Sequence, residues 1–202
     1  MIAIIDYQMG NLRSVEKAFL KMGADAIVTS SKAKIAKAEK VVLPGVGASG
    51  DGMKELRKFG LVETIKKVVS EKKPFLGICL GMQLLFEESE EGGKVKQLGI
   101  LKGRVRKLSF KKQLKVPHMG WNQIKRKDKT CELLEKIPDS SYVYFVHSYY
   151  CDPADKNIIA AVTDYGIDFT SIISKENIFG CQFHPEKSQD IGLKIIENFV
   201  RL

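Results

Sequence analysis

The chain has 202 residues, 44% of them hydrophobic and 28% charged, which is enough apolar material for one domain with a substantial core and offers nothing that marks a second. Its 33 basic residues against 24 acidic ones give a formal net charge of +9, but only six of the basic residues are arginine and none form an arm with interleaved aromatics, so the charge reads as a solvated lysine-rich surface and argues against nucleic-acid binding. The four cysteines form no Cys-x-x-Cys pair and no histidine stands at zinc-ligand spacing, which argues against a metal site or disulfide framework and for a reducing compartment.

The N-terminus reaches Asp6 after four apolar residues and lacks a basic flank, so neither a signal peptide nor a membrane span is expected; a soluble, cytoplasmic chain is. Residues 2–5 read as a strand buried on both faces. Leu12, Val15, Ala18, Phe19 and Met22 then recur at helical spacing, with Gly23 as a cap. Residues 26–28 and 41–43 give a second and third strand, the third running into the glycine-dense loop Pro44-Gly45-Val46-Gly47-Ala48-Ser49-Gly50. Backbone N–H groups in such a loop can face a ligand. Leu61, Ile65, Val68 and Val69 mark another amphipathic helix. Strand and helix alternate throughout this half, which predicts an α/β fold with a parallel sheet covered on both faces.

The apolar run Pro74-Phe75-Leu76 leads into Gly77-Ile78-Cys79-Leu80-Gly81 and then into the helix-like Met82-Gln83-Leu84-Leu85-Phe86. Gly-x-Cys-x-Gly is the thiol counterpart of the nucleophile elbow, in which small flanking residues permit a sharp strand-to-helix turn. A thiol there lies at a helix N-terminus, where the helix dipole favours the thiolate. A buried core cysteine would not require glycine at both i−2 and i+2.

The second half is strand-rich. Residues 87–97 read as an acidic loop, and short strands follow around 105–108, 142–146, 158–162, 169–173 and 178–183. The chain closes on a helix carrying Ile191, Ile195, Ile196, Phe199 and Val200, opened by Ser188 as N-cap. No linker separates the halves, and residues 1–202 are expected to form a single domain.

A nucleophilic cysteine needs a base and a group to hold that base in the right tautomer. His184 ends the last strand in His184-Pro185-Glu186, where extended chain would put the Glu186 carboxylate alongside the imidazole. Cys79, His184 and Glu186 are therefore the candidate triad, brought together at the C-terminal edge of a parallel sheet. His147, in Val146-His147-Ser148-Tyr149, and His118, in Pro117-His118-Met119-Gly120-Trp121-Asn122, are the alternatives. Each is otherwise a hydrogen-bonded structural histidine. Trp121, the only tryptophan, reads as core or as a partner surface.

With the elbow and His184-Pro185-Glu186 in hand, the chain resembles the class I, or triad, glutamine amidotransferases. More narrowly it resembles the family of glutaminase subunits of imidazole glycerol phosphate synthase, on Asp6-Tyr7 with Gly10-Asn11-Leu12, Pro44-Gly45-Val46-Gly47-Ala48, Pro117-His118-Met119-Gly120-Trp121-Asn122 and Phe145-Val146-His147-Ser148-Tyr149. Gln8 departs from it, standing where that family usually has glycine. The resemblance implies a flavodoxin-like fold, no cofactor and no metal. It also implies hydrolysis of glutamine through a Cys79 thioester, and an oxyanion hole from the backbone of Leu80 and of the Val46-Gly47 loop. Gln83, Glu91, Ser148 and Tyr149 would hold the amino-acid end of glutamine. The implied partner is a cyclase on a (β/α)8 barrel, met by Asn11, Pro117, His118, Trp121 and Asn122; neither nucleic acid nor membrane is implied. Two other readings are an amidotransferase serving another acceptor and a non-catalytic module that has kept the fold.

Overall fold

The computed structural model describes residues 1–109 and 114–202. Strand β1 (Ile2–Ile5) is buried along its whole length and leads to helix α1 (Leu12–Lys21), which turns Val15, Ala18 and Phe19 inward. Strand β2 (Ala26–Thr29), helix α2 (Lys32–Lys37) and strand β3 (Lys40–Leu43) continue the alternation. After the glycine-dense loop come two helices, α3 (Ser49–Lys58) and α4 (Val62–Ser70), where the hydrophobic period reveals only the second. The inward residues of α3 are Ser49, Gly52, Met53 and Leu56, so half of its buried stripe is small or polar and carries no apolar signal. Strand β4 (Phe75–Ile78) then delivers the chain to Cys79 and to helix α5 (Leu80–Gln83), a single turn.

The 87–97 loop contains two short strands, β5 (Glu88–Ser89) and β6 (Val95–Lys96). Strands β7 (Gly103–Lys107), β8 (His118–Arg126), β9 (Ser141–His147), β10 (Tyr149–Pro153), β11 (Ile159–Asp164), β12 (Asp168–Lys175) and β13 (Ile178–Cys181) follow, and helix α6 (Gln189–Arg201) closes the fold. The sequence does not announce β8 or β10. The first is only partly buried and rich in polar residues, and the second is only five residues long and ends in proline.

Neighbouring strands run β2-β1-β3-β4-β13, all parallel, and β12, β10 and β7 extend the sheet with antiparallel pairings. The parallel part has the 2-1-3-4-5 order of doubly wound folds, whose sites lie beyond the carboxyl ends of the strands. The loops after β1, β3, β4 and β13 therefore share one edge, and they carry Tyr7, Gly45, Cys79 and His184. Alternate strand residues feed opposite cores: Ile4, Val42 and Leu76 pack with Phe19 and Phe199, while Ile5, Leu43 and Phe75 pack with Leu56 and Ile65. Among the described residues no helix is long and apolar enough to cross a membrane.

Gln8 has φ 63°, the left-handed conformation that glycine adopts freely, and its N–H donates to Asp6 Oδ1 at 2.9 Å. The turn expected of a glycine is thus kept by a residue for which it is strained. Ser188 does precede α6, but its hydroxyl does not cap the helix. It donates to the His184 carbonyl at 2.7 Å and accepts from the Tyr144 N–H at 2.9 Å, pinning the turn after β13 to β9.

The elbow is set by close approach. A Cβ on Gly81 would lie 1.7 Å from the Leu43 carbonyl oxygen, and one on Gly77 would lie 2.7 Å from the Met82 backbone. Gly81→Ala is expected to lower unfolding free energy by about 3 kcal/mol or more, because the clash is with backbone that cannot repack. Gly50→Ala, in the first turn of α3 with only Val95 at ordinary contact distance, should be neutral or stabilising by up to about 1 kcal/mol. Urea unfolding of the two variants checks the contrast.

Candidate active site

Cys79 has φ 54° and ψ −111°, a strained conformation for a residue with a side chain. Hydrogen bonds on both sides hold it there. Its N–H donates to the Cys181 carbonyl at 2.8 Å, continuing the β4–β13 ladder, and its carbonyl accepts from Met82 N–H at 3.0 Å and Gln83 N–H at 3.2 Å. The thiol borders a cavity of about 400 Å³. Val46, Gly47, Leu80, Gln83, Glu91, Pro117, Ser148, Tyr149 and His184 all line it, together with Ala48, Val146 and His147. The candidate nucleophile, the candidate base and every residue expected at the oxyanion or glutamine end thus line one space.

The His184 Nδ1–H donates to Glu186 Oε1 at 2.9 Å, since a carboxylate oxygen only accepts. The other ring nitrogen, Nε2, is buried and has no hydrogen-bond partner among the described residues. The contact is made across a tight turn, Pro185–Lys187 being a short 3-10 helix, and not along extended chain as the i, i+2 spacing suggests. Both side chains are almost wholly buried, at 3% and 2% exposure. Burial pushes the His184 imidazole down, but attraction to the Cys79 and Glu186 side chains outweighs it and raises the pKa to about 10. The other three cysteines, Cys131, Cys151 and Cys181, are buried, and burial pushes each of their thiols up.

The oxyanion donors are turned away from the cavity. Leu80 N–H, expected to face a developing negative oxygen, donates to the Gly45 carbonyl at 3.3 Å. The one cis peptide among the described residues is Val116-Pro117, so the Gly45-Val46 peptide is trans and its N–H points opposite to that carbonyl. In this conformation neither Leu80 nor Val46 offers a free N–H to the nucleophile.

On the opposite wall, Gln83 Nε2 donates to the Tyr149 carbonyl and to Gln182 Oε1, both at 3.0 Å, and Gln182 Nε2 reaches Cys79 Sγ at 3.8 Å. Gln182 was not singled out from the sequence. Its signal was a lone amide in the buried run before His184. Glu91 Oε2 accepts from the Ser49 N–H at 2.6 Å, fixing the acidic loop on the start of α3.

The two remaining histidines form a pair. His118 and His147 face each other in the β8–β9 register. The Tyr149 carbonyl can only accept from His147 Nδ1, at 2.9 Å, so His147 Nε2 accepts from His118 Nδ1–H at 2.9 Å. His118 Nε2 in turn accepts from the Asn122 amide at 3.3 Å. Burial lowers the pKa of His118 to about 4 and, with added opposition from the neighbouring His118 and His184 rings to a charge there, that of His147 to about 3. His118 therefore does not face outward as expected of a partner contact. Strand alternation turns it inward, stacked between Phe145 and Tyr165, and leaves Met119 and Trp121 on the outer face. With Tyr142 of β9 these are 62%, 46% and 56% exposed. Asn122 is tied to His118 and to the Asp164 carbonyl, and Asn11 is exposed at the start of α1. Among the described residues no group of histidine, cysteine and carboxylate side chains is placed to hold a metal ion.

The chain matches the family model described as glutamine amidotransferase class-I over residues 3–202. The imidazole glycerol phosphate synthase subunit HisH of Methanocaldococcus jannaschii is 54% identical over 202 residues, covering 100% of both chains. The protein of the same name from Caldanaerobacter subterraneus subsp. tengcongensis is 53% identical over 199 residues, 98% of this chain and 97% of that one. Among solved structures, a glutamine amidotransferase crystal structure superposes with a TM-score of 0.77 at 19% identity over 100% of both chains. A structure of PurLQS from Thermotoga maritima gives 0.76 at 18%, covering 99% of this chain and 97% of that one. At those identities the likeness is one of fold.

The histidines make stability depend on pH in opposite senses. His118 and His147, depressed in the folded state, contribute stability that is fully present above pH 6.5 and lost as pH falls toward 4. His184, raised in the folded state, contributes stability fully present below pH 6.5 and lost as pH rises through about 10. At about pH 5.5 unfolding should take up nearly two protons, because His184 is charged in both states and only the pair titrates. Urea midpoints across this range measure the uptake, and His118→Gln should remove about one proton of it.

Proposed function

Because this chain belongs to the class I glutamine amidotransferases, we infer that it is the glutaminase subunit of an imidazole glycerol phosphate synthase, hydrolysing glutamine to glutamate and ammonia. The observation that carries the chemistry is the meeting of a strained cysteine elbow with a carboxylate-held histidine at one cavity.

In the proposed mechanism Cys79 Sγ attacks the side-chain amide carbon of glutamine, its proton residing on His184 Nε2. Glu186 keeps the ring in the Nδ1–H tautomer and stabilises the imidazolium. His184 returns the proton to the departing ammonia, leaving a γ-glutamyl thioester. Water activated by His184 then cleaves the thioester and releases glutamate. The negative oxygen of each tetrahedral intermediate is held by the N–H groups of Leu80 and Val46, with Gly47 allowing the loop to turn. That requires the Gly45-Val46 peptide to rotate from the orientation described above. One such donor contributes about 3 kcal/mol to the transition state, so its orientation acts as a switch. Gln83, Glu91 and the backbone of Ser148 and Tyr149 form the wall that receives the amino-acid end of glutamine.

Ammonia released into neutral water is protonated and lost as a nucleophile, so the reaction is useful only when coupled to a second active site. The proposed partner is a (β/α)8 cyclase that uses the ammonia to make imidazole glycerol phosphate and an aminoimidazole carboxamide ribotide for histidine biosynthesis. The exposed Met119, Trp121 and Tyr142 share the outer face of the β8–β9 pair, whose leading residue Pro117 lines the cavity, and they support docking on this face.

Cys79→Ala should lose glutamine-dependent synthesis by at least roughly a thousandfold while ammonium-dependent synthesis by the cyclase survives. A chloroketone analogue of glutamine should label Cys79 and spare Cys131, Cys151 and Cys181. Peptide mapping that finds the label on another cysteine would overturn the assignment. Complementation of a histidine auxotroph separates this acceptor from those of other amidotransferases.

A further inference from the structure

Tyr7 follows β1 on the same sheet edge as the nucleophile, and its side chain is fully buried. Its hydroxyl makes no hydrogen bond to any described residue. Buried hydroxyls are nearly always partnered, so an idle one beside a reactive centre calls for a reason. One neighbour, Gly45, is informative. A Cβ built on Gly45 would lie 2.2 Å from Tyr7 Oη and 3.1 Å from Leu80 Cβ, so glycine is the residue that lets the phenol lie against this backbone. The Cys79 side chain is close enough to add to burial in making the phenol a weaker acid.

We propose that Tyr7 is a positioning residue whose hydroxyl receives the Gly45 carbonyl when the Gly45-Val46 peptide rotates to expose the oxyanion donors. In the conformation described, that carbonyl is satisfied by Leu80 N–H and the Tyr7 hydroxyl is idle. Rotation frees Leu80 N–H, turns Val46 N–H toward the nucleophile and strips the carbonyl of its partner in a buried place. An unpaired buried carbonyl would oppose the rotated state. The phenol supplies the missing donor from a position already in contact with the same residue. It stabilises one orientation of the peptide and does nothing for the other, which is the differential contact a two-state element requires.

This inference rests on the glutaminase reading, and Tyr7→Phe tests it in the full chain bound to its cyclase with the cyclase ligand present. The expected result is a fall of about tenfold in kcat for glutamine at unchanged KM, the loss of one neutral hydrogen bond in the rotated state. The thermal midpoint should stay the same or rise, because the substitution removes an unpaired hydroxyl from the resting state. Alkylation of Cys79 by iodoacetamide, which develops no oxyanion, should proceed at the wild-type rate. A merely structural hydroxyl would lower the midpoint and leave kcat in place, and that outcome overturns the proposal, as does unchanged kcat at unchanged midpoint. A wild-type complex that does not hydrolyse glutamine removes the glutaminase reading and this inference with it.

Discussion

The seating of one helical turn directly on sheet backbone is the constraint from which the rest of the site follows. Helix α5 begins so close to β3, β4 and β13 that Gly81 lies against the Leu43 carbonyl and Gly77 against the Met82 backbone. Gly77 and Gly180 pair across the β4–β13 ladder, and both face Met82. With no side chains in the way, the chain reverses in one residue, and Cys79 alone takes up the strain. The chain that fixes Cys79 through the Cys181 carbonyl runs on through Gln182, bonded to the Ser171 carbonyl of β12, to His184, bonded to the Tyr144 carbonyl of β9. The proposed nucleophile and base are thus positioned by adjacent strands of one sheet, although 105 positions separate them in the sequence.

Three histidines with the same intrinsic chemistry are held in two charge states by their neighbours. His184 has the Glu186 carboxylate at Nδ1 and the Cys79 sulfur nearby, and their attraction for the imidazolium overcomes burial. His118 and His147 have each other, a backbone carbonyl and an amide, none of which can balance a positive charge. Burial then decides, and they remain neutral with fixed tautomers. Their chain of bonds ends on the Tyr149 carbonyl, which also accepts from Gln83. A neutral pair can brace this wall without setting a second cation permanently against His184.

What was legible in the sequence was local. The elbow, His184-Pro185-Glu186 and the glycine-dense loop each announce their turn within a few residues, and hydrophobic period alone delimits β1 to β4 and the last helix. What was not legible depends on registration or on a single torsion. The pairing of His118 with His147 exists only because β8 and β9 align at that residue, and β8 itself is too polar and exposed to read as a strand. Helix α3 hides because its buried face includes a serine and a glycine. Gln182 matters through what lies on the neighbouring strand. The orientation of the Gly45-Val46 peptide leaves no trace in composition at all, since both orientations use the same residues.

The glycines around Met82 also differ in how freely the chain could drift. Gly180 is kept small by the Met82 side chain, at Cγ, and by Ile173. A bulkier residue there could be accommodated by a second change that shortens Met82 or Ile173. Gly77 and Gly81 are kept small by main-chain atoms, which every amino acid brings with it. No substitution elsewhere can make room for them. Lineages descending from this sequence can therefore explore position 180 through paired replacements, while positions 77 and 81 are closed to exploration for as long as a turn of helix rests on the sheet.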